Sequence, residues 1–531
     1  MNYLSHLKYQ IMKKTLFSIC ALLLSLTASA QLVDTPEGRL IDNMYRTSDS
    51  WVKKSWTSME AGKYEGLVSK IVEGKDGCLY VYNPLSGLDS KSWLKLEKVS
   101  DGKYKAVLPQ VIYKDNNGGD DDDESVSSER IFTLNRMKNK GNDKYEVVAK
   151  DKNYMEFTWD GTTLKMLGVG SKNEILGMVY NKDTWESRYG DWGVTIQTFD
   201  NSLVTPPASA EKKQYTLTTK EETSPRIIET AVSGDDIYLK GIFKSKKLAD
   251  VWVKLTRQGD KAVMLTNQYL GRTVKTDFMN YSNDMAEYHT YAAAFDNATT
   301  VADKLEFTIN AADGKLTSDK MLRIVMGKSS AANMPKEELE TLEDIVLTPY
   351  QHKAGNPETP KLHYCSAVES YDYSTTTITL AFYVKNVDVD GNYLNPEKMY
   401  YNVYINDSKE PFKFTKSQFF YLDKDMTDIP FNYKDKRNDD IKIAGDQRIL
   451  HFYDASIRKL SVVMVYEEDG KKYSSEPMTT QVTTTGIENA TINKNTTEKY
   501  YTVDGRQLQH LQKGLNVVKS SDGTTRKVLV K

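Results

Sequence analysis

Ile71-Val72-Glu73-Gly74-Lys75-Asp76-Gly77-Cys78-Leu79-Tyr80-Val81-Tyr82-Asn83 runs apolar, turn, apolar. Further along, Ala231-Val232-Ser233-Gly234-Asp235-Asp236-Ile237-Tyr238-Leu239-Lys240-Gly241 does the same. Both read as strand, Gly/Asp turn, strand, because branched and aromatic side chains fit a pleated, half-buried surface and Gly/Asp pairs close hairpins. An aromatic strand follows in each, Trp93-Leu94-Lys95-Leu96 and Trp252-Val253-Lys254-Leu255. The pleat puts Trp252 and Lys254 on one face and Val253 and Leu255 on the other, without a clean apolar/polar split. A Gly turn comes next (Gly102; Gly259), then a strand ending near a Gln (Leu108-Pro109-Gln110; Leu265-Thr266-Asn267-Gln268). Glu156-Phe157-Thr158 with Asp160-Gly161 is matched by Glu306-Phe307-Thr308 with Asp313-Gly314. Ile175-Leu176-Gly177-Met178-Val179 is matched by Leu322-Arg323-Ile324-Val325-Met326. The order of the matches is preserved throughout, which points to two diverged copies of one antiparallel β-module.

Working outward, the modules span 31–201 and 212–350. Ser202 to Glu211, with Pro206-Pro207, and His352 to Pro360 read as linkers. A third unit covers 361–480. It has strands over Ile378–Val384, Met399–Ile405 and Leu460–Tyr466, the last entering a hairpin at Asp469-Gly470. Few strands and long connections suit a β-sandwich of immunoglobulin or fibronectin type. A short β tail closes the chain over 486–531. The fold class is therefore mainly β. Pro335–Val346 is the best helix candidate beyond the leader, with Leu339, Leu342 and Ile345 or Val346 on one face.

Residues 1–30 form a three-part secretory leader. Lys8, Lys13 and Lys14 precede a nearly continuous apolar run over Leu16–Leu26, and Ala28-Ser29-Ala30 supplies the small residues of a cleavage site. Met12 is an alternative start. The apolar run is too short to span a bilayer, which takes about 20 residues, and no other run is long enough. Losing this leader removes three lysines and no acid, so the charge moves from −2 to −5. That mild balance implies no basic face and no nucleic-acid partner. Only Cys78 and Cys365 remain, in different domains, which excludes a disulfide scaffold and reads as two lone buried thiols.

The tail holds Tyr501-Thr502-Val503-Asp504-Gly505-Arg506, then Lys513-Gly514-Leu515-Asn516-Val517-Val518, and ends Lys527-Val528-Leu529-Val530-Lys531. It resembles the C-terminal sorting domain of type IX secretion substrates, whose pattern includes Gly505, Gly514, Lys527 and Lys531. Asn516 stands where that pattern has Tyr, and Lys513 directly precedes Gly514 where a Pro usually lies nearby. The same residues also read as a last pair of hairpins on the third unit. With the repeated modules, the whole mature chain resembles a group of secreted β-modular proteins of gut and oral Bacteroidota that carries no known activity. The resemblance implies an outer-surface or secreted location reached through the export machinery, with the periplasm as the alternative.

Motifs for chemistry are sparse. There is no Gly-x-Ser-x-Gly, no His-Glu-x-x-His and no phosphate loop. His289, His352, His363, His451 and His510 share no metal-ligand spacing. His363 and Cys365 read as same-face strand neighbours. Asn386, Asp388, Asp390 and Glu397 match the spacing of a calcium loop, though strands flank it and an Asp-Gly turn explains it equally. Asp120 to Glu124 is an acidic run whose charges repel, a solvated loop or a weak cation contact. Trp185, Tyr189 and Trp192, with Trp51 and Trp56, are candidates for a sugar-stacking platform, or for core. No other cofactor is indicated. The expected function is a non-catalytic binding or adhesive module at the cell surface, taking a glycan or host-surface ligand. A secreted glycan- or peptide-directed hydrolase with unrecognised carboxylates is the alternative.

Overall fold

The computed structural model describes residues 32–33, 35–53, 58–115, 130–180, 184–279, 286–331, 339–369, 376–434, 440–484, 498–520 and 525–530. The leader, Trp56, the acidic run 120–124, Pro335 and Lys531 lie outside the described residues. Among those described, the regular structure is strand, with four single-turn 3-10 helices and no α-helix. The described residues form two compact units: those up to 220 with 227–349, and 221–226 with those from 350 onward.

The first unit holds two closed rings of eight antiparallel strands. One joins Glu211–Thr218, Arg226–Ser233, Asp236–Lys240, Trp252–Gln258, Lys261–Leu265, Lys304–Ile309, Leu316–Ser318 and Ile345–Pro349. Its interior is filled: Leu217, Leu239, Val253, Leu255, Leu305 and Leu347 are all buried there. Val253 and Leu255 point in, and Trp252 and Lys254 stand partly exposed outside, a cleaner split than the sequence implies. The other ring closes Gly38–Lys53, Met59–Gly74, Leu79–Tyr82, Trp93–Ser100, Lys103–Val107, Tyr154–Trp159, Thr163–Leu167 and Thr184–Gln197. An eight-stranded ring is just wide enough for its own side chains, so apolar burial fills it.

The pairings recur strand for strand. Outside the ring of 38–197, Arg130–Asn139 pairs with Gln110–Asp115 and Glu174–Tyr180. Outside the ring of 211–349, Tyr288–Asn297 pairs with Gln268–Thr273 and Met321–Met326. The Gln of each repeat makes the same tie. Gln110 accepts from Lys95 N and donates to Lys95 O, both at 2.9 Å. Gln268 does so with Lys254, at 2.8 and 2.6 Å.

The two rings are not separate bodies, as the expected linker at 202–211 would imply. Tyr288 registers with Leu67, and Val68 N donates to Glu287 O at 2.9 Å. Gly66 and Gly327 meet at this seam, each with positive φ, and a Cβ on Gly66 would lie 2.4 Å from Gly327 Cα. Tyr45 packs there with Tyr269, Tyr291 and Phe295.

The helix expected at Pro335–Val346 is replaced, over its described part, by strands Glu340–Leu342 and Ile345–Pro349. Asp344 takes φ 48°, which interrupts any helix, and Ile345, Val346 and Thr348 are branched at Cβ. Both segments gain ladder partners, in Met321–Met326 and in Leu316–Ser318 with Glu211–Thr218.

In the second unit, one sheet holds Lys361–Glu369, Thr376–Tyr383, Ile441–Ala444 and Gln447–Phe452, with a short parallel strand at Thr483–Thr484. The other holds Ile429–Pro430, Met399–Ile405, Lys459–Glu468, Lys471–Ser474 and Met478–Gln481. Leu380 and Phe382 from the first and Tyr401, Val403 and Val462 from the second share one buried core. Asp469 (φ 51°) and Gly470 (φ 73°) turn the expected hairpin, the left-handed pair that matches strand twist. The tail forms its own four-stranded antiparallel sheet with Val518 and Val528 buried.

Candidate functional site

The site is built from an irregular strand. Gly38–Lys53 shifts register against its neighbour between Ile41 and Met44 and again at Arg46/Thr47. Asn43 takes φ 59° at the first shift. Beyond it, Arg46, Ser48 and Ser50 are all buried. Arg46 Nη2 donates to Asp191 Oδ2 at 2.7 Å and to Pro84 O at 2.8 Å, and Nη1 donates to Asn83 O at 2.8 Å. Asp191 also accepts from Ser50 Oγ and from Ser86 N. Burial works to lower the Arg46 pKa, and the Asp191 charge opposes it. A buried pair holds only when its remaining polar atoms are satisfied, and the backbone carbonyls do most of that here.

The pair anchors the segment from Asn83 to Lys91, which connects two ring strands. That segment walls a pocket of 280 Å³ whose far side, Arg272 and Glu287, comes from the second module. Leu67 and Leu85 supply apolar lining; Lys70, Tyr82, Asp89 and Lys91 line the same side as the segment, and Asp42 belongs to the irregular strand. Lys70 Nζ lies 4.2 Å over the Tyr82 ring. Burial, then the Asp89 charge, raise the Tyr82 pKa. Asn83 Nδ2 donates to Asp89 at 2.8 Å, and Arg272 pairs with Glu287. Two wall residues carry unmet polar atoms: Ser69 Oγ and Arg46 Nε are buried without a hydrogen-bond partner.

Next to the pocket the seam is locked. His289 is fully buried, with Nε2 3.0 Å from Met44 O and Nδ1 3.2 Å from Tyr269 Oη. A carbonyl only accepts, so Nε2 carries the proton and Nδ1 accepts from the tyrosine. Burial pulls the His289 pKa down to about 4. Tyr45 Oη donates to Glu65 and accepts from Lys328 N.

The residues singled out from sequence lie elsewhere. Trp192 is buried, Trp185 and Tyr189 are half-buried, and all three pack in the core of the first module. The Trp51 ring lies 6.1 Å from both Trp185 and Trp192, and Trp185 Nε1 donates to Tyr189 O. The expected platform is thus an aromatic end of the core, because edge contacts among these rings bury their faces. The calcium-spaced residues face different partners. Asn386 donates to Pro225 O, Asp390 pairs with Lys353, and Glu397 accepts from Asn432. Asp388 is buried and spends its oxygens on Asp390 N and on the backbone and side chain of Asn392, the pattern of an Asx turn. Among the described residues no three His, Cys, Asp or Glu side chains gather as a metal site.

His363 and Cys365 do not share a face. A bulge between Leu362 and Tyr364 leaves His363 exposed while Cys365 enters the core, where burial pushes its thiol up to about 11. Cys78 is half-buried, not buried as expected. In the tail, Gly505 (φ 86°) turns between two strands, Gly514 (φ 106°) opens the next, and Lys527 is exposed. Asn516 is buried and donates to Gln512 O and Gly514 O.

Sequence reading missed Arg46, Asp191 and the pocket. The signal was the period-two polar stripe Arg46, Ser48, Ser50 inside a strand, which implies a buried polar partner. Comparison with protein-family models and with curated proteins finds no match. No described helix is long and apolar enough to cross a membrane.

Proposed function

We propose that the protein is an exported, non-catalytic binding protein of the cell surface, with the seam pocket as its ligand site. The observation that carries the reading is the pocket itself: a concave polar wall, pre-formed by a buried ion pair. Such convergent polar groups over apolar lining are the general form of a small-molecule site. Support for export comes from the leader over 1–30 and the sorting-like tail, whose Gly505 and Lys527 are both exposed. The two modules are read as diverged copies of one unit, supported by the recurring pairings and the twin Gln ties. Residues 361–480 are read as a sandwich of immunoglobulin or fibronectin type, supported by two sheets sharing one core.

Two experiments test this. Mature chain 31–531 screened on a glycan array should give binders; silence across sugars and other small polar ligands removes the pocket reading. Deleting 486–531 should trap the protein in the periplasm, read by fractionation and surface protease. An intact chain already found in the periplasm overturns the surface location.

A further inference from the structure

We infer that the seam pocket takes one acidic sugar residue, a hexuronate or sialate, its carboxylate toward Lys70 and Lys91 and its hydroxyls toward Asp42, Asp89 and Glu287. The inference rests on the pocket being the ligand site. Size sets the first bound. At 280 Å³ it lies just below the usual range of ligand pockets, about 300–1,000 Å³, which suits a single ring or chain end.

Charge sets the second bound. Four cations line the pocket, and two are committed, Arg46 to Asp191 and Arg272 to Glu287. Lys70 rests on the Tyr82 ring, and no carboxylate among the described residues pairs with it or with Lys91. A carboxylate is the group that answers an ammonium left without an acidic partner. The third bound is hydrogen-bond polarity. Asp42, Asp89 and Glu287 offer acceptors around the same space. Phosphate or a polyanion would press more negative charge against them, whereas hydroxyls donate to them without adding charge.

The test titrates mature chain 31–531 calorimetrically with glucuronate, galacturonate and N-acetylneuraminate. Glucose and galactose serve as neutral parents, and glycine and diglycine as small zwitterions. The acidic sugars should bind at least about tenfold tighter than the neutral ones and weaken with salt, as a charge contact requires. The Lys70→Gln/Lys91→Asn double variant should lose at least about tenfold in affinity with its melting temperature unchanged; Asn suits the φ of 52° at position 91. Equal binding of neutral sugars overturns the acidic class and leaves the pocket a sugar site. Zwitterion binding that the double variant abolishes overturns the sugar class and leaves the pocket a ligand site. Acidic-sugar binding untouched by the double variant moves the site elsewhere. Silence from every probe overturns both readings.

Discussion

His289 shows what one buried side chain contributes. Its folded pKa is about 4, below the ordinary value of 6.5. Between those values the unfolded chain takes up a proton that the folded one refuses. The stabilisation is therefore complete above pH 6.5 and erodes as pH falls toward 4, by on the order of 2–3 kcal/mol. Melting of the first unit should drop between pH 7 and pH 4.5, and His289→Gln should flatten that dependence; an unchanged slope refutes the assignment. Arg46 gives the opposite case. Arg46→Met leaves Asp191 buried without its cation, which should cost about 3–5 kcal/mol in urea unfolding, whereas Arg46→Met with Asp191→Leu should recover much of it. Neither residue was legible as functional in the sequence. His289 has no partner within reach along the chain, and Arg46 meets Asp191 only after the ring closes.

At the scale of elements, the Gln ties bear on how much could be read beforehand. Gln110 and Gln268 each bond both backbone groups of a Lys on the aromatic strand. Gln110→Ala and Gln268→Ala should each cost about 1–3 kcal/mol by stranding a backbone pair, and should add in the double variant because the sites share no partner. Strong non-additivity would mean the ties are coupled through the seam. The Gln stood out in the sequence because it ended a repeated pattern, and the strands stood out because apolar alternation is local. Residues 339–346 misled for the same reason. Leu339, Leu342 and Ile345 satisfy a helical spacing, and only ladder partners distant in sequence, Leu316–Ser318 and Met321–Met326, decide for strand. The pocket was illegible because its walls combine residues 42–91 with 272–287.

For the whole molecule, the seam decides cooperativity. Gly66 and Gly327 approach too closely for any side chain. Gly66→Ala should therefore lower the melting of both modules together while leaving the transition of the second unit in place, as followed by scanning calorimetry. A first-unit transition that splits in two would show that the modules unfold independently. The filled rings carry a last implication, for how such a chain can diversify. A ring packed solid has no lumen to tune, so altering its contents forfeits stability without offering a new cargo. Novel specificity is instead open at the connecting segments, where Asn83–Lys91 is tied to the ring by Arg46, Asp191 and Ser48. Two rings joined at one seam thus give a lineage a rigid chassis and an interchangeable rim, and relatives should differ most where the rim faces the seam.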